Sequence, residues 1–454
     1  MEYRDEEPAG QEDGTVVAPP GSSVVVAAAS VSAAPDSRAA TAWFSLQAFS
    51  SLRHRDYRYL WSGVLLMGAG QRIQEVTLGW LIYDITSSSL LLGALNGLRT
   101  LPFLVVGPTA GIAADRMDRR KLMLITQAVL MLTALSMWPL VALGMVRAPH
   151  LFLFALVSGI AWSVNQPVRQ TLIPSVVPRE DLMSAVALNS MGFNIVTIVG
   201  PALAGLLIAW FGVSSNFLVQ GTAYAGVLVL ISLMYVPPLP ARAHKSSPVA
   251  DLKEALAYVW ASPAVLALLA MSFIVHVFAQ PYQTLMPVFQ KDVLRVGPEG
   301  LGLLLAAPGL GAIAVTAWSA SFGATFHRSA LPMLASLAVL GGTLILFSRT
   351  TSLPLALLIL VVLGGARMLV LVTNMTMLQI IVPDQLRGRV MSIYMLDRGL
   401  APAGAFLAGV STHFVGAPLT VTLMGSSVIL LTILVGWRMP HANANASYGE
   451  SAPL

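Results

Sequence analysis

From Leu353 to Val382 the chain carries a single charged side chain, Arg367. An α-helix rises 1.5 Å per residue, so a run of this length crosses a hydrocarbon core about 30 Å thick. Comparable runs occupy residues 58–84, 90–114, 121–146, 150–173, 182–211, 215–236, 263–290, 299–322, 329–347, 353–382, 389–415 and 417–438, which makes twelve. In lipid each backbone amide must be satisfied within the segment or a closed barrel, and runs of this length and apolarity fit helices. Composition agrees, since 10% of residues are charged and 56% hydrophobic, against about 25% charged in a soluble domain. The expected fold is an all-α integral membrane protein with twelve transmembrane helices.

The polar stretches divide the chain. Residues 1–42, rich in Ala, Ser, Pro, Gly and acids, are expected to form a disordered cytoplasmic tail. Within it, Val24 to Ala34 is too short to span and has no basic flank, so it does not read as a signal peptide. Residues 43–236 form a first six-helix half, opened by an interfacial helix at 43–57. Residues 237–262 form a cytoplasmic linker with an amphipathic helix from Asp251 to Trp260. Residues 263–438 form the second half and 439–454 a cytoplasmic tail. One set of loops holds fifteen Arg and Lys, among them Arg53, Arg116, Arg179, Lys245, Arg328 and Arg387. The opposite set holds four, Arg147, Lys291, Arg295 and Arg349. The positive-inside rule then puts both termini in the cytoplasm.

The halves repeat. Asn165 to Gln170 is matched by Asn374 to Gln379, and Val177-Pro178…Leu182-Met183-Ser184 by Val382-Pro383…Val390-Met391-Ser392. Two six-helix pseudo-repeats at an offset of about 205–209 residues are expected.

Several chemistries are excluded. With no cysteine there are no disulfides, Cys-ligated metals or catalytic thiols. No His cluster has metal spacing, no Gly-rich loop with Lys could cradle phosphate, and there is no nucleophile elbow. No cofactor, metal or enzymatic activity is expected. The net charge of +5 comes from short loops between spans, so it does not point to nucleic acid.

Polar side chains inside spans must face protein or water, and residues three, four or seven apart share a helix face. The first span carries Gln71, Arg72 and Glu75; the fourth Ser158, Trp162, Asn165 and Arg169; the seventh Ser272, His276, Gln280 and Gln283; the tenth Arg367 and Asn374. These stripes are candidates for a substrate cavity. Glu75 lies sixteen residues beyond Tyr59, roughly 24 Å along a helix and somewhat past the midplane. A charge there costs at least ~2.5 kcal/mol. Two readings stay open: a proton- or cation-coupling carboxylate, or a fixed Arg72–Glu75 pair that packs the first span. Asp397 is the second proton candidate, with a structural pair as its alternative. Arg99 is placed to bind an anionic substrate or to pair with Asp84 or Glu75. Arg169 could meet such a substrate or serve a gate.

Between the second and third spans lies Gly107-Pro-Thr-Ala-Gly111-Ile-Ala-Ala-Asp115-Arg116-Met-Asp118-Arg119-Arg120-Lys121. It resembles motif A of the major facilitator superfamily at Gly111, Asp115, Arg116, Arg119 and Arg120, with Asp118 where the motif has a second Gly. That departure resembles the branch of enterobactin exporters and macrolide-efflux proteins. Phe49-Ser-Ser-Leu-Arg53-His-Arg55-Asp56-Tyr57-Arg58 and Leu386-Arg387-Gly388-Arg389-Val390-Met391-Ser392 resemble the same branch. Gly200-Pro201…Gly205 resembles the core of motif C, associated with antiporters, although Val196 stands at a usual Gly position. The motif A repeat at Gly323–Arg328 has no acid, so the gate is expected to be asymmetric between halves.

The resemblance implies a secondary transporter of the cell membrane working by alternating access. Its expected activity is proton-coupled export of an amphipathic organic molecule such as a drug or siderophore. It also implies that Asp115 meets the start of the eleventh span near Arg387 and Arg389, closing the cytoplasmic side. Expected partners are the small-molecule substrate, protons and the lipid bilayer, with the protein a monomer. A proton symporter importing a small polar nutrient and a non-transporting membrane sensor are the rival readings.

Overall fold

Proline marks some of the breaks in the long apolar segments, while Pro139, Pro201 and Pro308 lie inside continuous helices. The computed structural model describes residues 46–106, 118–235, 248–326, 330–397 and 400–437. Helix α1 (Arg55–Thr86) contains no proline and runs unbroken until Ser87 turns left-handed at φ 47°. Helix α2 (Ser89–Thr100) starts where the Ser88 hydroxyl accepts from the Leu91 amide. It stops before Pro102, which has no N–H and crowds the carbonyl four residues back. One further turn follows at Pro102–Val105.

Four helices then alternate with short connections: α3 (Arg119–Ala142), α4 (Ala148–Val176), α5 (Leu182–Phe211) and α6 (Val213–Leu233). Gly212, at φ 78°, makes the turn from α5 to α6 possible. A linker helix (Pro248–Ala261) leads to α7 (Pro263–Ile274). The seventh apolar segment then continues as irregular helix to Val293. It passes through a π-turn at Val275–Ala279, a 3-10 stretch at Gln280–Leu285 and a second π-turn at Phe289–Val293. Pro281 and Pro287 each remove a backbone donor there, which a regular helix could not absorb. The remaining helices are α8 (Pro298–Phe326), α9 (Ala330–Ser348), α10 (Leu353–Ile381), α11 (Asp384–Asp397), α12 (Ala401–Val415) and α13 (Ala417–Trp437). The eleventh predicted span is thus two helices, with Pro402 opening the second.

All of this is helical, with no strand among the described residues. Nine helices there are long and apolar enough to cross a membrane. They carry exposed Leu153, Trp210, Leu358 and Trp437, a distribution that suits lipid rather than water.

Helices α1, α3, α4, α5 and α6 pack on one another, as do α8, α9, α10 and α13. The two sets meet along α5 with α8 and along α2 with α12. The α5–α8 crossing depends on paired glycines: a β-carbon at Gly205 would lie 3.0 Å from the Cα of Gly302 and 2.5 Å from the Pro298 carbonyl oxygen. Buried amides hold the first set together. Gln74 Nε2 donates to Ser158 Oγ at 2.7 Å, Asn216 Nδ2 to Thr77 Oγ1 at 2.7 Å, and Gln220 Nε2 to the Gly70 carbonyl at 2.9 Å. Such bonds are the glue of helix packing where apolar burial gives little preference over lipid.

The segment expected as an interfacial lead-in helix is, from Leu46 to Arg53, a 3-10 run. It is pinned to the start of α5. Ser50 Oγ donates to Asp181 at 2.5 Å, His54 Nε2 lies 2.7 Å from the same carboxylate, and Tyr57 donates to the Ala185 carbonyl at 2.7 Å.

Candidate functional site

A cavity of about 250 Å³ lies where the two helix sets meet. Its wall takes Arg72 and Glu75 from α1, Asn96, Arg99 and Thr100 from α2, and Thr197 and Pro201 from α5. The irregular helix after α7 adds Gln280, Gln283 and Thr284; Leu305 of α8 and Ala401 and Ala405 of α12 complete it.

Glu75 is held by two arginines. Arg72, one turn earlier on α1, donates to Oε2 at 2.7 Å, and Arg99 on α2 donates to Oε1 at 3.0 Å. Gln71 Nε2 reaches Oε1 at 3.5 Å. The Arg72–Glu75 pair is the one the second reading of Glu75 named; of the partners considered for Arg99, the structure selects Glu75. The three charged side chains remain partly open to the cavity, at 25%, 25% and 19% exposure. Gly200 gives Arg72 its room, since a β-carbon there would lie 2.5 Å from the Cβ of Arg72. The Arg72 guanidinium also sits 5.5 Å from the centre of the Phe193 ring.

The other expected cavity residues divide. Gln280 and Gln283 line the cavity, and Gln280 Nε2 donates to Gln283 Oε1 at 2.9 Å. Gln71, Trp162 and Arg169 line a second, much smaller space of about 10 Å³, with Phe193 and Met67. Arg169 there donates to Gln166 Oε1 at 2.9 Å. Asn165 is fully buried and donates to Thr126 Oγ1 of α3 at 3.0 Å; Asn374 donates to the Leu268 carbonyl of α7 at 2.9 Å. Both tie helices together and lie outside the cavity wall. His276 Nδ1 lies 2.9 Å from the Ser272 carbonyl within its own helix, in the π-turn, and His276 is not part of the cavity wall. Arg367 is half-buried on α10 and is not part of the wall. Asp397 ends α11, and its side chain lies outside the described residues.

Of the motif C-like residues, Pro201 lines the cavity, Gly200 accommodates Arg72 and Gly205 carries the α8 contact. Of the motif A residues, Gly111, Asp115 and Arg116 lie outside the described residues. Asp118, at the unexpected position, caps α3 by accepting from the Arg120 and Lys121 amides at 2.9 and 3.3 Å. Arg119 opens the helix, and Arg120 donates to the Ile231 carbonyl at 3.2 Å and to the Ser232 carbonyl, at the exposed end of α6. Arg387 pairs with Asp384 three residues earlier, and Arg389 pairs with Glu254 of the linker helix.

On α2 Arg99 was named from the sequence, but its neighbours Asn96 and Thr100 were not. Asn96, Arg99 and Thr100 stand at i, i+3 and i+4, and the spacing rule applied to the other spans finds them. At the C-terminal end of α1 the two helix sets also meet through polar groups. Tyr83 donates to Asp292, Asp84 Oδ1 lies 3.2 Å from Lys291 Nζ, and Lys291 stands 5.8 Å from the Tyr83 ring centre.

A family model described as a transmembrane secretion effector matches residues 46–452. The chain is 26% identical over 380 residues to the staphyloferrin A transporter of Staphylococcus aureus, covering 83% of this chain and 94% of that protein. It is 26% identical over 380 residues to the multidrug efflux pump Tap of Mycolicibacterium fortuitum, covering 82% and 92%. Among solved structures it is similar to a bacterial homologue of the human lysosomal transporter Spinster, in an inward-facing and occupied conformation. That match has a TM-score of 0.70 at 15% identity and covers 88% of this chain and 99% of the other; the likeness is one of fold.

Proposed function

The chain belongs to the transmembrane secretion effector family of major facilitator transporters, and on that premise we propose that it exports an amphipathic organic molecule, a drug or siderophore, by alternating access driven by the proton gradient. The observation that carries this reading is the Arg72–Glu75–Arg99 cluster, set in a cavity walled by both helix sets. Three formal charges at membrane depth are costly unless they serve a site. The apolar half of the wall, with Val76, Pro201, Pro287 and Leu305, suits the hydrocarbon part of an amphipathic cargo. The name of the Tap relative, a multidrug efflux pump, supports efflux.

In this reading twelve spans form two six-helix repeats, 43–236 and 263–438, joined by the cytoplasmic linker 237–262. Both termini are cytoplasmic and the monomer is the working unit. Glu75 exchanges the coupling proton, with Asp397 as the next candidate. Gln71, Trp162 and Arg169 lie one turn or more along the path of the cargo. Asp115 closes the cytoplasmic side against Arg387 and Arg389. A second reading follows from the bond of Glu75 to two arginines: the carboxylate is a permanent counter-ion and the electrical gradient drives the cargo.

Everted membrane vesicles with an imposed proton-motive force test the proposal. They should accumulate a fluorescent amphiphile, and an uncoupler should abolish the uptake. Uptake confined to right-side-out vesicles energised for import would overturn it.

A further inference from the structure

The charged wall of the cavity is unbalanced. Among the described residues it presents two guanidiniums, Arg72 and Arg99, against one carboxylate, Glu75; every other polar side chain on it is a neutral amide or hydroxyl. Bonding to Glu75 does not exhaust the donors. A guanidinium carries five N–H groups, and the buried Nε–H of Arg99 has no partner among the described residues. An anion brought to the cavity meets the partly exposed Nη end of Arg99, where it gains a charge-assisted bond and the charge balance. A cation brought there meets a site that is already net positive.

From this excess of one positive charge, together with the unpartnered Arg99 donor, we infer that the cargo carries an acidic group, a carboxylate or its equivalent. That group docks on Arg99 beside Glu75, and the apolar remainder of the cargo lies along Val76, Pro201 and Leu305. The inference rests on the reading of this cavity as the cargo site and adds the chemical class. Asn96, Thr100 and Gln283 border the same position and supply neutral hydrogen-bonding groups. A bound monoanion brings the site to zero net charge, the cheapest state in which to move it through a low-dielectric core. An inside-negative membrane potential also favours outward movement of an anion, so cargo class and direction agree in sign.

Three fluorophores that share one ring system and differ in charge test this: dansylglycine, an anion; dansylamide, neutral; and dansylcadaverine, a cation. Each is titrated by fluorescence against the full chain in nanodiscs, with empty nanodiscs subtracted for lipid partitioning. Dansylglycine should bind at least tenfold tighter than the other two. Arg99→Gln should erase that preference, and Arg99→Lys should keep most of it. Glu75→Gln, which removes the competing carboxylate and raises the site to two net positive charges, should tighten dansylglycine several-fold. A merely structural Glu75 gives no such gain, so this variant decides the matter even if Arg99→Gln does not fold. Equal or tighter binding of dansylcadaverine, an unchanged preference in Arg99→Gln, unchanged or weakened anion binding in Glu75→Gln, or no binding of any of the three overturns the inference. The assay uses no gradient, so it is independent of direction. An anion preference without uptake into everted vesicles overturns the efflux reading alone; uptake of dansylcadaverine in place of dansylglycine overturns the cargo class alone.

Discussion

The hydroxyl of Tyr83, near the end of α1, donates to the carboxylate of Asp292 on the irregular helix after α7. One residue along each chain, Asp84 meets Lys291 at 3.2 Å. These contacts join the two helix sets at the end of the molecule that loop charge assigns to the outside. They lie beyond the cavity wall, and we propose that they act as a clamp at that end.

Loosening the clamp should expose the cavity to the outside. A hydrogen bond to a charged group is worth about 1.5–3 kcal/mol, while an ion pair as exposed as Asp84–Lys291 adds 0–1 kcal/mol. Tyr83→Phe combined with Asp84→Asn should therefore shift a two-state balance roughly tenfold toward outward-open. The chain has no cysteine, so a single Thr284→Cys reports the change cleanly. Its labelling by an impermeant maleimide from outside should rise about tenfold. Unchanged labelling would show that the clamp does not hold the closed state.

Glu75→Gln separates the two readings of the carboxylate. The amide cannot exchange a proton, so a coupling Glu75 predicts that uptake driven by a pH difference alone falls to background. Uptake driven by a potential alone should persist. Nigericin and valinomycin collapse the two components separately in vesicles. Wild-type uptake by the variant under a pH difference makes Glu75 a fixed counter-ion and moves attention to Asp397.

Gly200→Val should disable the site without touching a charged residue. A β-carbon at 200 lies 2.5 Å from Arg72 Cβ, an atom that no rotamer change moves, so α1 and α5 must shift apart at the cavity. Overpacking of this kind costs about 1–3 kcal/mol, and transport should drop more than tenfold in a protein that still folds. Transport at the wild-type rate would show that α1 and α5 can shift apart and leave the site working.

Asp118 has a structural task that its position in motif A does not announce. Asp118→Ala removes the cap of α3 and should cost about 1 kcal/mol in reversible unfolding by mixed micelles, while Asp118→Gly costs a few tenths. The side chain accepts from two helix amides. Equal losses for the two variants would mean that capping is not its main contribution.

Glu75, Gln280 and Gln283 were recognisable from their spacing alone, and the cavity contains all three. The same rule failed for Asn165 and Asn374, which bond to Thr126 and to the Leu268 carbonyl. A polar stripe must face something other than lipid, but a neighbouring helix serves as well as water. His276 is not part of the wall, and it lies in a π-turn where the 3.6-residue periodicity no longer holds. The sequence by itself determined the helical membrane class and the family. The class follows from local terms: the hydration of about twenty consecutive side chains and backbone hydrogen bonding in lipid. Only the tertiary structure decided that Arg99 pairs with Glu75, that Gly200 makes room for Arg72 and that, among the described residues, two arginines share one carboxylate on the cavity wall. Those outcomes depend on how each helix is rotated and on which helix lies beside it, and packing sets both between residues far apart in the chain.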